Sequence, residues 1–196
     1  MDDLRIVTAN EASWDDVRTV FGQRGDAAQC FCQRYKSWDI WYDVPREDLA
    51  ARLRDQTACG DRDATDTSGL VAYLGDEPVA WCAVEPRTAY DRLLKMPIPW
   101  KGRDEDKHDD TVWAVTCFIV RAGYRRRGIS GALARAAVDH ARRNGARALE
   151  AYPMITTGKD VTWGELHVGA RSVFAAAGFT QLTHPTLRRV VMRVDF

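Results

Sequence analysis

The chain has 196 residues, of which 45% are hydrophobic, 29% charged and 10% aromatic, a length and balance that fit one folded domain over 1–196 and exclude a disordered or fibrous chain. Its 28 Lys and Arg match 28 Asp and Glu, so there is no global positive field of the kind that draws proteins to nucleic acid or anionic membranes, and any anion site must be local. The start, MDDLRIVTANEASW, has neither a basic flank nor an apolar run, and no stretch approaches the roughly 20 apolar residues that span a bilayer; a cytoplasmic location with no nucleic-acid or membrane partner is the expectation.

LRIVT (4–8) alternates and is β-branched, which predicts a strand, and Ser13 before Trp14-Asp15-Asp16 predicts a capped helix with acids in its first turn. The periodicity then dissolves from Gln23 to Val44 into the aromatic-rich CFCQRYKSWDIWYDV, read as ordered but irregular, before Pro45-Arg46-Glu47-Asp48 opens a helix carrying Leu49, Ala50 and Leu53 on one side. LVAYL and VAWCAV flank Gly75-Asp76-Glu77-Pro78 as an antiparallel hairpin. Residues 87–110, with Pro97, Pro99 and the charged KGRDEDKHDD, read as a surface loop, a candidate lid. TVWAVTCFIV (111–120) is apolar or β-branched nearly throughout and predicts a buried central strand. A helix follows from Gly131, with Leu133, Ala134, Ala137, Val138 and Ala141 at helical spacing and Asn144-Gly145 as its stop. ALEAYP predicts another strand, GARSVFAAAGF a short helix and LRRVVMRV a final strand, for an order of β-α-α-β-β-β-α-β-α-β.

Between the central strand and its helix lies YRRRGISGAL (124–133). A turn from strand to helix leaves backbone N–H groups unpaired at the helix N-terminus, where the macrodipole favours negative charge. Gly128 lets the backbone approach an anion, Ser130 and Gly131 keep the next positions small, and Arg125, Arg126 and Arg127 add charge. The alternative is a solvated basic helix start with an incidental glycine. The segment CFIVRAGYRRRGISGALARAAVDHARRNGA, followed by LEAYP and FAAAGF, resembles the GNAT (GCN5-related N-acetyltransferase) superfamily.

That resemblance implies an α/β (α+β) fold: a central mixed sheet of about six to seven strands flanked by about four helices, with a splay between the central strand and the parallel strand after it. It implies that Arg125-Arg126-Arg127-Gly128-Ile129-Ser130, with serine in place of the last small residue of the family pattern, binds the diphosphate of acetyl-CoA as co-substrate. Arg125, Arg126, Gly128, Ile129, Ser130 and Gly131 are the expected contacts and Arg127 is left to solvent. Main-chain groups near Phe118, Ile119 and Val120 would pair with the pantetheine arm like an added strand. The implied activity is transfer of an acetyl group to a primary amine of a small molecule by direct attack in a ternary complex, with room for a homodimer. Two alternatives stand beside it: a protein- or peptide-directed acyltransferase, and a non-catalytic acyl-CoA sensor.

The family's usual general acid is a tyrosine four residues before the Gly-Phe pair, and here that position is Phe174, which cannot donate. The proton must come from elsewhere: Ser172, His167, Tyr152 or water. Glu150 and Tyr152 alternate on one strand and share a face, making Glu150 the candidate base, and Glu85 at the end of the hairpin strand competes with it; either carboxylate could instead be a surface salt-bridge partner. His167 could bond the co-substrate or shuttle a proton, or be a structural contact. Five cysteines, an odd number, argue against a disulfide framework. Cys30-Phe31-Cys32 lacks a second close pair of ligands, so no metal is expected. Phe31, Tyr35, Trp38, Trp41 and Tyr42 could wall an acceptor pocket or serve as core.

Overall fold

The alternating run LRIVT forms β1 (Leu4–Thr8), an edge strand that pairs antiparallel with β2 (Leu70–Leu74). The protein is seen here as a computed structural model that describes residues 3–38, 41–158 and 160–196; Asp39 and Ile40 of the aromatic segment, the first two residues and Lys159 lie outside the described residues. Strand β2 turns into β3 (Glu77–Pro86), and β3 pairs antiparallel with the central β4 (Val112–Val120). The sheet continues through β5 (Ala148–Ala151), β7 (Arg189–Asp195) and β6 (Thr180–Thr186), in the order β1-β2-β3-β4-β5-β7-β6.

Helix α1 (Trp14–Phe21) starts where expected: the Ser13 hydroxyl accepts from the Asp16 N–H at 3.1 Å, with Asp15 and Asp16 in the first turn. It packs with α3 (Arg46–Thr57) on one face of the sheet, where Val17, Phe21, Leu49 and Leu53 meet Trp81 and Phe31. The amphipathic α5 (Ile129–Arg143) covers the opposite face with Leu133, Ala134, Ala137 and Ala141. A third cluster of Tyr35, Tyr90, Leu93, Tyr152, Met154 and Val191 lies toward the other end of the sheet.

Only four residues of β4 pair with β5: Val112 to Val115 run parallel to Ala148 to Ala151. A bulge on the β3 side, where Ala83 faces Cys117 and Val84 faces Val115, leaves Thr116 as the extra residue and bends β4 where pairing with β5 ends. Beyond it, residues 117–120 remain paired to β3 alone. This is the splay expected between the central strand and its parallel neighbour.

Three readings of the sequence are corrected. The carboxyl-terminal strand is a hairpin of two, because β6 also forms; Thr180–Thr186 is largely exposed at the sheet edge and shows no apolar alternation. The irregular aromatic segment contains a helix, α2 (Gly25–Cys30), ended by Phe31 and Cys32 in the left-handed region at φ 40° and 56°. Residues 87–110 do not form a free surface loop: they make two 3-10 turns and the short helix α4 (Pro97–Trp100), and they bury Arg87, Tyr90, Leu93 and Trp100. With α6 (Arg171–Ala175), the described residues hold seven strands and six helices.

Candidate active site

The turn after β4 is shaped by two left-handed residues, Arg126 at φ 62° and Gly128 at φ 73°. Gly128 is the N-cap of α5 and its carbonyl accepts from the Gly131 and Ala132 N–H groups at 3.0 and 3.1 Å. Among the described residues, the N–H groups of Arg126, Arg127 and Gly128 donate to no backbone acceptor, and those of Ile129 and Ser130 open the helix, where no intrahelical partner exists. The turn is therefore a concave set of free donors at the positive end of a helix, a geometry that selects anions.

That turn opens into a cavity of about 620 Å³, within the range of small-molecule sites. All nine residues expected to hold the co-substrate line it: Phe118 to Val120 on the splayed strand, Arg125 and Arg126, and Gly128 to Gly131. Arg127 is exposed and absent from the lining, with its guanidinium stacked on Tyr124. Arg125 donates from Nε to the Val120 carbonyl at 3.2 Å and lies over the Trp163 ring at 4.5 Å. One main-chain acceptor expected to be open on the splayed strand is thus already used. Gly169 lines the cavity at φ 78°, and a Cβ there would come within 2.6 Å of the Phe174 ring.

Phe174 itself is fully buried, stacked on Phe118 at 5.4 Å and edge-on to Phe179 at 5.1 Å. It is core beneath the cavity and does not line it. Ser172 is exposed outside the cavity.

The carboxylate candidates are not brought to this cavity. Glu150 is fully buried and bound to Arg103, Arg193 and Arg87 and to the Tyr152 hydroxyl, which donates at 3.0 Å. Arg103 Nη1 contacts its Oε2 at 3.1 Å and Arg193 Nη1 its Oε1 at 3.2 Å. Glu150 lines neither cavity, so the geometry lends no support to its reading as general base. Tyr152, 3% exposed, donates to Glu150 and lines neither cavity. Glu85 accepts from Ser68 and is ion-paired with Lys36 away from the cavity.

His167 does line the cavity. Its Nδ1 lies 2.6 Å from the Gly164 carbonyl, which requires a proton on Nδ1, and its Nε2 lies 3.1 Å from the Tyr35 hydroxyl. Neutral His167 therefore carries Nδ1–H and accepts from Tyr35 on Nε2. Burial is the largest influence on the imidazole and drives its pKa down to about 4; the Gly164 bond opposes this, and Arg34 and Arg189 add to it. Burial also raises the Tyr35 phenol. The pair is neutral at pH 7 and faces the cavity.

Tyr35, which the sequence offered only as an aromatic wall or core residue, is the hydroxyl brought against His167 in the cavity. Of its neighbours in that segment, Phe31 is core, Trp38 and Tyr42 are exposed, and Trp41 lines a second cavity of about 650 Å³. This second cavity shares Asp26, Arg34, Tyr35, Gly164 and His167 with the first, so the Tyr35–His167 pair stands where the two meet. Cys30, Cys32 and Cys117 also line the first cavity; burial pushes the Cys30 thiol up to about 12 and Cys32 well above its ordinary value, so both are unreactive thiols.

The sequence profile of the acetyltransferase (GNAT) family matches residues 32–158, and the chain belongs to that family. Its fold is similar to that of a GCN5-related N-acetyltransferase from Kribbella flavida, at 17% identity over 100% of this chain and 99% of that one with a TM-score of 0.57. It is also similar to the GNAT domain of PAT from S. lividans, at 19% identity, 98% and 89% coverage and a TM-score of 0.53. A third similar structure is yncA of Salmonella typhimurium, determined with its cofactor acetyl-CoA, at 12% identity, 98% and 94% coverage and a TM-score of 0.56. No significant sequence relative is found among curated proteins. No helix among the described residues is long and apolar enough to cross a membrane.

Proposed function

We propose that this chain is a single acyltransferase domain that transfers the acetyl group of acetyl-CoA to a primary amine of a small molecule, by direct attack in a ternary complex in the cytoplasm. The observation that carries this reading is the convergence of the free amides of Arg126 and of residues 128–130 and the unpaired edge of residues 117–120 on one cavity. When bound, acetyl-CoA supplies an acyl group activated as a thioester. The turn amides, with Arg125 and Arg126, hold the diphosphate, and the splayed edge of β4 orients the pantetheine.

The proton chemistry belongs to Tyr35 and His167. A proton leaving the attacking nitrogen passes to the Tyr35 oxygen as Tyr35 delivers its own to His167 Nε2, while the Gly164 carbonyl holds Nδ1–H. An imidazolium whose pKa is held near 4 gives up its proton readily, so the proton returns through Tyr35 to the CoA thiolate that leaves as the new N–C bond forms, giving the amide and free CoA thiol. Positioning and this relay replace the missing tyrosine at position 174.

The test is release of free CoA thiol from acetyl-CoA across a panel of small amines and peptides, beside calorimetric binding of CoA. Thiol release with amines supports the reading. Binding of CoA with no turnover of any acceptor favours the sensor, and turnover confined to peptides favours the protein-directed alternative.

A further inference from the structure

The second cavity is lined by four arginines, Arg34, Arg92, Arg188 and Arg189, against two carboxylates, Asp26 and Glu165. The carboxylates are spoken for: Asp26 pairs with Arg34 at 3.3 Å and Glu165 with Arg188 at 2.7 Å. Among the described residues no carboxylate lies within ion-pair distance of Arg92 or Arg189. In a chain whose charges balance overall, two guanidinium groups without a counter-ion in one concave site mark a place for an anion.

Arg189 is also positioned. Its Nε donates to the Tyr152 carbonyl at 3.0 Å and its backbone bridges Met154 at the start of β7. It lines the second cavity together with the Tyr35–His167 pair; burial raises the Tyr35 phenol and Arg189 is the largest counterweight, and its charge reaches His167 as well. An anion bound there lies next to the relay, so an amine joined to it by a long spacer would be carried past the relay. Trp41, Met96 and Met154 supply an apolar wall to the same cavity.

We infer that the acceptor is an amino carboxylate, with the anionic group one or two carbons from the nucleophilic nitrogen, and that Arg189 and Arg92 hold its carboxylate in the second cavity. This rests on the acyl-transfer reading above and narrows it. An internal peptide lysine offers no such carboxylate, nor does the α-amine of a longer peptide, so free amino acids fit the site and polypeptides do not.

The experiment compares alanine, methionine and phenylalanine with their decarboxylated amines, measuring kcat/KM by CoA thiol release, and measures by calorimetry the binding of each to the CoA-bound protein. The expected result is a preference for the carboxylate of at least about tenfold, which R189Q and R92Q reduce toward parity through KM. In R189K the preference is partly retained, because the charge remains without the planar fork. Decarboxylated amines turned over as well as the amino acids would overturn this inference and leave the acetyltransferase reading standing. Amino acids that bind the CoA complex in an Arg189-dependent way without being acetylated would support the anion site and sink the transferase reading. If amino acids neither bind the CoA complex nor are turned over, the inference is overturned outright.

Discussion

Replacing Glu150 by glutamine separates a structural carboxylate from a catalytic one. Gln is isosteric, so shape is kept, but Arg87, Arg103 and Arg193 lose the fully buried charge they share, and Glu105 is left as the main carboxylate facing all three. Glu105 cannot absorb the change: burial would raise its pKa, yet the bonds from Arg103 and Arg87 already hold it at about 2, so it is fully ionised from the outset. Removing one partner of a buried ion cluster costs about 3–5 kcal/mol, a large fraction of the roughly 5–15 kcal/mol that separates folded from unfolded chains. For a chain of this length that corresponds to a fall in Tm of roughly 10 °C. Urea unfolding and thermal melts measure the loss; kcat of the folded fraction at low temperature and CoA affinity should remain within about threefold of the parent, since Glu150 touches neither cavity. An E150Q protein that keeps its stability within about 1 kcal/mol while losing a hundredfold or more in kcat would refute this reasoning and restore Glu150 as the base.

Gly128→Glu should lower CoA affinity by at least about tenfold in calorimetry, because φ 73° disfavours any side chain and the new carboxylate stands where the diphosphate is held; unchanged affinity would remove the turn from the site. Tyr35→Phe and His167→Ala should each reduce kcat by roughly a hundredfold with little change in CoA affinity, and the double variant should be no worse than the poorer single one, because the two act as one relay. Additive losses would mean separate roles. His140, 4% exposed and edge-on to Trp113, is held at a pKa of about 4 by burial and by Arg143, below its ordinary 6.5. Between these values the unfolded chain takes up a proton that the native state refuses, so its contribution to stability is complete above pH 6.5 and is lost as pH falls toward 4, by up to roughly 3 kcal/mol. Urea unfolding at pH 7 and pH 4.5 should show a smaller pH loss in H140Q than in the parent.

The co-substrate half of the site was legible because it is local. A strand, a glycine needing φ above zero, small residues and a helix start are contiguous in sequence, and the same ten residues make the turn. The Tyr35–His167 contact was not, because the two stand 132 residues apart and each comes from an irregular segment with no periodic signal. Strand β6 escaped for the opposite reason: at an exposed edge it carries Gln181, Thr183 and Pro185 in place of an alternating apolar face. Residues 87–110 look like a solvated loop by charge, yet Arg87 and Arg103 point into the molecule and meet Glu150. Hydropathy patterns assume that charges face water, so a buried ion cluster inverts the reading.

That cluster also bears on how the splay is held. Glu150 sits on β5 opposite Ala114 of β4 and Arg193 of β7, while Arg87 follows β3 and Arg103 follows α4. The ion pairs therefore join β5, β7 and the segments after β3 and α4 beside the half of β4 that stays paired, two residues short of the bulge at Thr116. Beyond that point β4 keeps β3 alone as a partner and its far edge lines the cavity. Two strands that part midway lose ladder hydrogen bonds and tend either to close up or to separate further. A many-armed cluster on the closed side resists separation, and the Phe118–Phe174–Phe179 ring stack beneath the open side resists closure. On the function proposed above, Phe174 packs the core beneath the cavity and the proton chemistry lies with Tyr35 and His167. Phe174→Tyr should then leave kcat unchanged or lower it through a buried hydroxyl without a partner, and a rise in kcat would show that the missing donor is still what limits the reaction.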